Sequence, residues 1–138
     1  MAVTICFDFG NTRLKYAVFE DRKMKAEGNL NDDGNSSLDY ILEKYHPQKT
    51  ILSSVIDHSP EFEELLATRS RFHRLSNKSR LPFSTPVGKP ETIGADRLAL
   101  AAAAVEFFPG KHNLVVGLGT CITYNFISKY NAFLGVGI

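Results

Sequence analysis

From Val3 to Phe9 apolar and polar residues alternate, with β-branched and aromatic side chains in the majority, so this segment reads as a strand. Gly10-Asn11 is a hairpin signal, and Leu14 to Glu20 resumes the strand pattern. Residues around Lys23 to Leu30 add a third strand, ended by the turn-forming Asn31-Asp32-Asp33-Gly34. Ser36 or Ser37 is placed to cap a helix whose Leu38, Ile41, Leu42 and Tyr45 share one face, and Pro47 ends it. Thr50 to Ile56 reads as a short buried strand. Ser59-Pro60-Glu61 starts a second helix that carries Phe62, Leu65 and Leu66 inward. Phe72 to Leu75 is a further strand.

Ser76 to Ile93 reads as a loop, because Pro82, Pro86, Gly88 and Pro90 interrupt it. Asp96 to Phe108 is a helix closed by Pro109-Gly110, and its four consecutive alanines suit close packing on a sheet. Leu114 to Val116, Ile122 to Ser128 and Tyr130 to Leu134 complete the pattern as three strands. Antiparallel strands followed by alternating helices and strands imply a mixed sheet with helices on its faces.

Composition narrows the function classes. The 138 residues carry 16 Lys plus Arg against 15 Asp plus Glu, with 43% apolar and 22% charged residues. Such a balance fits an ordinary globular chain and gives no global drive towards nucleic acid or acidic membranes. No stretch approaches the roughly 20 apolar residues of a membrane span. The start lacks a basic n-region, so no signal peptide is expected. Cys6 and Cys121 lie far apart and read as buried free thiols in a reducing cytoplasm. His46, His58, His73 and His112 show no metal-ligand spacing and read as surface or loop residues.

One internal similarity changes the picture. Ile5-Cys-Phe-Asp-Phe-Gly-Asn-Thr leads into a strand through Tyr16, and Val115-Val-Gly-Leu-Gly-Thr leads into Ile122-Thr-Tyr-Asn-Phe-Ile. Thr12 and Thr120 take matching places after Gly10 and Gly119, which favours duplication over coincidence. Gly135-Val-Gly-Ile138 then closes the second copy at its third strand, so one domain and the opening of its twin are expected.

The Gly/Thr turns suit phosphate, because backbone N–H groups and hydroxyls there can approach phosphate oxygens. Strands rather than helices follow them, which excludes the dinucleotide fingerprint, and no P-loop motif is present. Asp8-Phe9-Gly10 matches the protein-kinase triplet, but no His-Arg-Asp segment precedes it. Asp8 at a strand end is suited to hold Mg²⁺ through water while Lys15 neutralises phosphate charge. The plainer alternative is that Asp8 and Asn11 stabilise a hairpin and Lys15 decorates its surface. Asp96 and Arg97 open the alanine-rich helix after the long loop. An acid there complements the helix dipole, or accepts a hydroxyl proton while Arg97 binds a substrate carboxylate.

Asp8-x-Gly10-Asn11-Thr12-x-x-Lys15, Gly94-x-Asp96-Arg97 and Gly119-Thr120-x-x-Thr123 together resemble the type III pantothenate kinases, of the acetate and sugar kinase/Hsc70/actin superfamily. The resemblance implies an α/β, ribonuclease-H-like (actin-like ATPase) domain with a mixed five-stranded sheet flanked by helices. That domain is expected over residues 1–110, and the first strands of a second, truncated ribonuclease-H-like domain over 111–138. The implied reaction moves the γ-phosphate of ATP to the primary hydroxyl of pantothenate, the first step of coenzyme A biosynthesis, in a cytoplasmic homodimer.

By the same resemblance Asp8 organises Mg²⁺, while Gly10, Asn11, Thr12 and Lys15 line the first phosphate loop. Gly119, Thr120 and Thr123 form the second loop, Asp96 is the general base, and Gly94 and Arg97 contact pantothenate. A monovalent cation, K⁺ or NH₄⁺, is implied as well. The family usually carries aspartates where Gly117 and Asn125 stand, and often a tyrosine near Val87-Gly88-Lys89, so no cation ligand is assigned. The fragment by itself is not expected to be a competent kinase.

Two other readings stand beside this one. Arg69 to Arg80 is basic without a single acid, which suits a nucleic-acid-binding or accessory transcription role; the neutral total charge favours a solvated surface instead. A kinase of the same fold acting on another small hydroxy compound is the second.

Overall fold

The computed structural model describes residues 2–31, 35–86 and 88–137. Within the first compact unit, Met1–Leu75, three strands come first: β1 (Val3–Phe9), β2 (Leu14–Glu20) and β3 (Lys23–Asn29). Helix α1 (Ser36–Tyr45), strand β4 (Lys49–Ser54), helix α2 (Pro60–Arg69) and strand β5 (Arg71–Arg74) follow. The sheet order is β3-β2-β1-β4-β5. β1, β2 and β3 pair antiparallel, while β4 and β5 run parallel to β1. This is the expected mixed five-stranded sheet.

Alternation along β1 divides the sheet's two faces. Ile5, Phe7 and Phe9 are buried with Val18, Leu52, the α1 residues Leu38, Ile41 and Leu42, and the α2 residues Phe62 and Leu66. Phe9 and Phe62 meet edge to face with ring centres 4.7 Å apart. Thr4, Cys6 and Asp8 therefore project from the opposite face. At the β2–β3 connection, Asp21 and Arg22 both take positive φ, the backbone of a primed two-residue turn.

The second compact unit is Ser76–Ile138. After a short 3₁₀ turn at Pro90–Thr92 it contains helix α3 (Ala95–Phe107) and the antiparallel meander β6 (Asn113–Leu118), β7 (Ile122–Ile127) and β8 (Phe133–Gly137). The compact units divide after Leu75. The reason is α3, which packs on β6 and β7 and buries Leu98, Ala101 and Ala104. Its small residues let the helix approach the strands closely, as the alanine run suggests. The loop before it is less featureless than expected: Ser84 bridges to Ala132, and Phe83 lies beside Phe133 with ring centres 6.0 Å apart.

Other local expectations shift for identifiable reasons. β8 starts at Phe133 rather than Tyr130, because Asn131 takes the left-handed conformation in a turn closed by its N–H to the Ser128 carbonyl. The N-cap of α1 is Asn35, without a side-chain capping bond, so neither Ser36 nor Ser37 caps it. The turn expected at Asp32 to Gly34 lies outside the described residues, as does Val87. Cys121 is exposed on a hairpin tip rather than buried, whereas Cys6 is half-buried.

The meander keeps one apolar face open. Leu114, Val116 and Leu118 are exposed and sit opposite Phe126, Tyr124 and Ile122 in the β6–β7 register. No described helix is long and apolar enough to cross a membrane.

Candidate functional site

Two hairpins of similar plan carry most of the candidate residues. In the first, β1 and β2 are joined by Gly10–Arg13, and the Gly10 N–H donates to the Arg13 carbonyl at 3.0 Å. In the second, β6 and β7 are joined by Gly119–Cys121, and the Gly119 N–H donates to the Cys121 carbonyl at 3.2 Å. Both glycine amides are thus used inside their own loops. Asn11, Thr12 and Thr120 are exposed and make no hydrogen bond among the described residues. Their side chains and amides are open to solvent at the hairpin tips.

Asp8 sits one residue before the end of β1, directly opposite Lys15 of β2. The Lys15 ammonium lies 3.4 Å from the Asp8 carboxylate, and about half of each side chain is exposed, 52% and 47%. A pair so wet contributes little to folding. Its worth is in presenting one cation and one anion side by side at the carboxyl end of β1, where ligands of open α/β sheets bind.

On the other flank of Asp8, in the β1–β4 register, stands Ser53. The residue is 7% exposed and its hydroxyl has no hydrogen-bond partner among the described residues. Sequence reasoning passed over Ser53 as part of a buried strand. The signal was there in principle, since a Ser-Ser pair at the end of an apolar parallel strand breaks the pattern where sites form.

The residues fit a hydrated divalent cation. Among the described residues no cluster of three or more His, Cys, Asp or Glu exists. A lone carboxylate beside phosphate donors is the protein's usual share of a Mg²⁺ site completed by phosphate and water. A monovalent cation is less well served. Asn125 is fully buried; its amide N–H donates to the Val115 carbonyl at 3.4 Å, and its Oδ1 has no partner among the described residues. That leaves one neutral oxygen and no carboxylate.

In the second unit Gly94, Asp96 and Arg97 come together at the start of α3. The Gly94 carbonyl accepts from the amides of Arg97 and Leu98, at 3.1 and 3.2 Å. Asp96, in the first helical turn, is exposed, and neither it nor the Arg97 guanidinium has a side-chain partner among the described residues. On β7, Thr123 stands opposite Gly117, and a Cβ added at Gly117 would lie 2.6 Å from its hydroxyl oxygen. Glycine at 117 is therefore what lets Thr123 hold its position.

Two arginines of the basic stretch are paired with acids within the first unit. Arg69 pairs with Asp39 at 3.1 Å and Glu43 at 2.7 Å, and Arg74 with Glu63 at 3.0 Å. Glu63 also bonds His58, which in turn bonds Ser54. Sequence distance hid these acids, which come from α1 and α2.

Comparison with known proteins agrees with the motifs. The family description for type III pantothenate kinase matches residues 4–138. A type III pantothenate kinase of Christiangramia forsetii is 35% identical over 138 residues, which are 99% of this chain and 57% of that protein. Another, of Bacteroides fragilis, is 34% identical over 140 residues, covering 99% of this chain and 56% of that protein. Among solved structures, the type II variant of the Aquifex aeolicus Ppx/GppA phosphatase superposes with a TM-score of 0.49 at 13% identity, over 99% of this chain and 51% of that one. This chain therefore spans a little over half the length of the relatives it matches, and with the family pattern matched from residue 4 to residue 138 it belongs to the type III pantothenate kinase family.

Proposed function

We propose that this chain carries the first phosphate hairpin, the substrate segment and the second phosphate hairpin of an ATP-dependent pantothenate kinase. The observation that carries this reading is the pair of matching hairpins, each presenting unbonded Thr and amide donors, one of them beside an Asp–Lys pair. Family membership supports it. On this reading Asn11, Thr12 and Lys15 hold phosphate oxygens at the turn that Gly10 opens, and Asp8 holds the hydrated Mg²⁺. Thr120 and Thr123 hold the polyphosphate from the second hairpin, at the turn that Gly119 opens. The metal, when bound, neutralises charge developing on the transferred phosphoryl group.

Asp96 orients the pantothenate hydroxyl and accepts its proton, and Gly94 and Arg97 seat the substrate, the guanidinium on its carboxylate. A base in this place mainly orients the nucleophile and need not be strongly basic. Residues 1–110 and 111–138 then correspond to a first ribonuclease-H-like domain and the opening of a second, in a cytoplasmic homodimer. No monovalent cation site is assigned, since Asn125 supplies only a neutral oxygen.

The test is a chimera in which residues 1–138 replace the matching part of the Christiangramia forsetii relative. Pantothenate-dependent ADP release is expected, falling about a hundredfold or more in Asp96→Asn. Release unchanged by Asp96→Asn would remove the mechanism, and a sugar giving the only signal would remove the substrate. Salt-dependent DNA retention lost on neutralising Arg71 and Arg74 would favour the nucleic-acid reading, which the ion pairs of Arg69 and Arg74 already weaken.

A further inference from the structure

Three neighbouring strands place Lys15, Asp8 and Ser53 in one row. Lys15 is the β2 partner of Asp8 and Ser53 its β4 partner, so all three side chains project from the same sheet face. β1 and β4 are parallel, and both end one residue further on, at Phe9 and Ser54. The two serines of β4 are used differently. Ser54 is on the other face, where its hydroxyl donates to the Ile56 carbonyl and bonds His58 Nδ1. The Ser53 hydroxyl is buried and has no partner among the described residues.

Buried hydroxyls are nearly always satisfied, so an unpaired one beside an exposed ion pair at the carboxyl end of parallel strands asks for a ligand. An alanine would fit the same strand and remove the unmet donor. We propose that Ser53 is a further binding residue of the polyphosphate site, its hydroxyl hydrogen-bonded to the hydrated metal–phosphate group held at Asp8. The inference rests on the phosphate-site reading above and adds to it a third strand. The ligand class is a di- or triphosphate with its divalent cation, since the row offers one cation, one anion and one neutral hydroxyl.

The probe is Mg²⁺ with inorganic tripolyphosphate, titrated into the 138-residue chain while the Asn11 and Thr12 amide resonances are followed by NMR. Ser53→Ala is expected to weaken binding about tenfold. Without ligand it should melt no lower than the unaltered chain, and its ligand-induced rise in Tm should shrink. A residue that merely packed would lower the ligand-free melting temperature and leave affinity alone. Ser53→Cys, which keeps the volume and donates poorly, gives the same affinity loss if Ser53→Ala folds badly. Tight binding by both Ser53 variants, with Asp8→Asn weakened, overturns the Ser53 role and leaves the phosphate site standing. No binding by the unaltered chain overturns both.

Discussion

Asp8 and Lys15 face each other across a hairpin with half of each side chain in water, so their attraction contributes only about 0.5 kcal/mol to folding. Asp8→Asn should accordingly leave the melting temperature almost unchanged while abolishing Mg²⁺-dependent tripolyphosphate binding; a large loss of stability would make Asp8 structural. The two cysteines should separate cleanly. Burial pushes the Cys6 thiol pKa up, whereas Cys121 stands exposed on the second hairpin tip. Iodoacetamide at pH 8 is expected to alkylate Cys121 first, and Mg²⁺–ATP to slow that labelling; mass spectrometry reads both. Because Cys6 stays protonated when folded, its contribution to stability is full below the usual thiol range and is lost as pH climbs through the raised value. Asn125→Asp places a carboxylate at a fully buried position. Stability should fall by on the order of 3 kcal/mol near pH 7. Burial raises that carboxyl's pKa, so the penalty should fade as pH falls through it, a trend that urea titration at several pH values will show.

Among the elements, α2 is the one whose start depends most visibly on one side chain. The Ser59 hydroxyl accepts the Glu61 amide at 3.3 Å ahead of Pro60 at the first helical position. Ser59→Ala should cost about 1 kcal/mol in thermal unfolding; no change would mean that packing of Phe62 and Leu66 alone sets the helix. The strands and helices of the first unit were legible because period-2 and period-3.6 patterns reflect burial on one face, and Ile5, Phe7, Phe9, Leu38, Leu42 and Leu66 are all in the core. Departures came where local pattern is silent. The turn at Asn131 delays β8, since a left-handed residue leaves no hydrophobic signature. The Arg69 and Arg74 ion pairs join residues that only folding brings together. Ser53 was missed for the same reason: its neighbour Asp8 is 45 residues away and is reached only through the parallel β1–β4 register. By contrast the two hairpins that carry Asp8, Asn11, Thr12, Lys15, Gly119, Thr120 and Thr123 were legible, because each keeps its strands and turn within a few residues.

At the scale of the whole molecule, each compact unit carries one hairpin with exposed, unbonded donors, and the second unit also carries Asp96 at the start of α3. The open apolar face of β6 and β7 belongs to this scale too, since Leu114, Val116 and Leu118 gain little for folding while exposed. Replacing Leu118, which is 82% exposed, by Lys should leave the unfolding free energy of the 138-residue chain within about 0.5 kcal/mol of its original value and raise its solubility. The most direct test of the central claim is an amide NMR titration of this chain with Mg²⁺–ATP. The account predicts that resonances of both Asn11–Lys15 and Gly119–Thr123 shift along one binding curve; shifts at only one hairpin, or at neither, would contradict it.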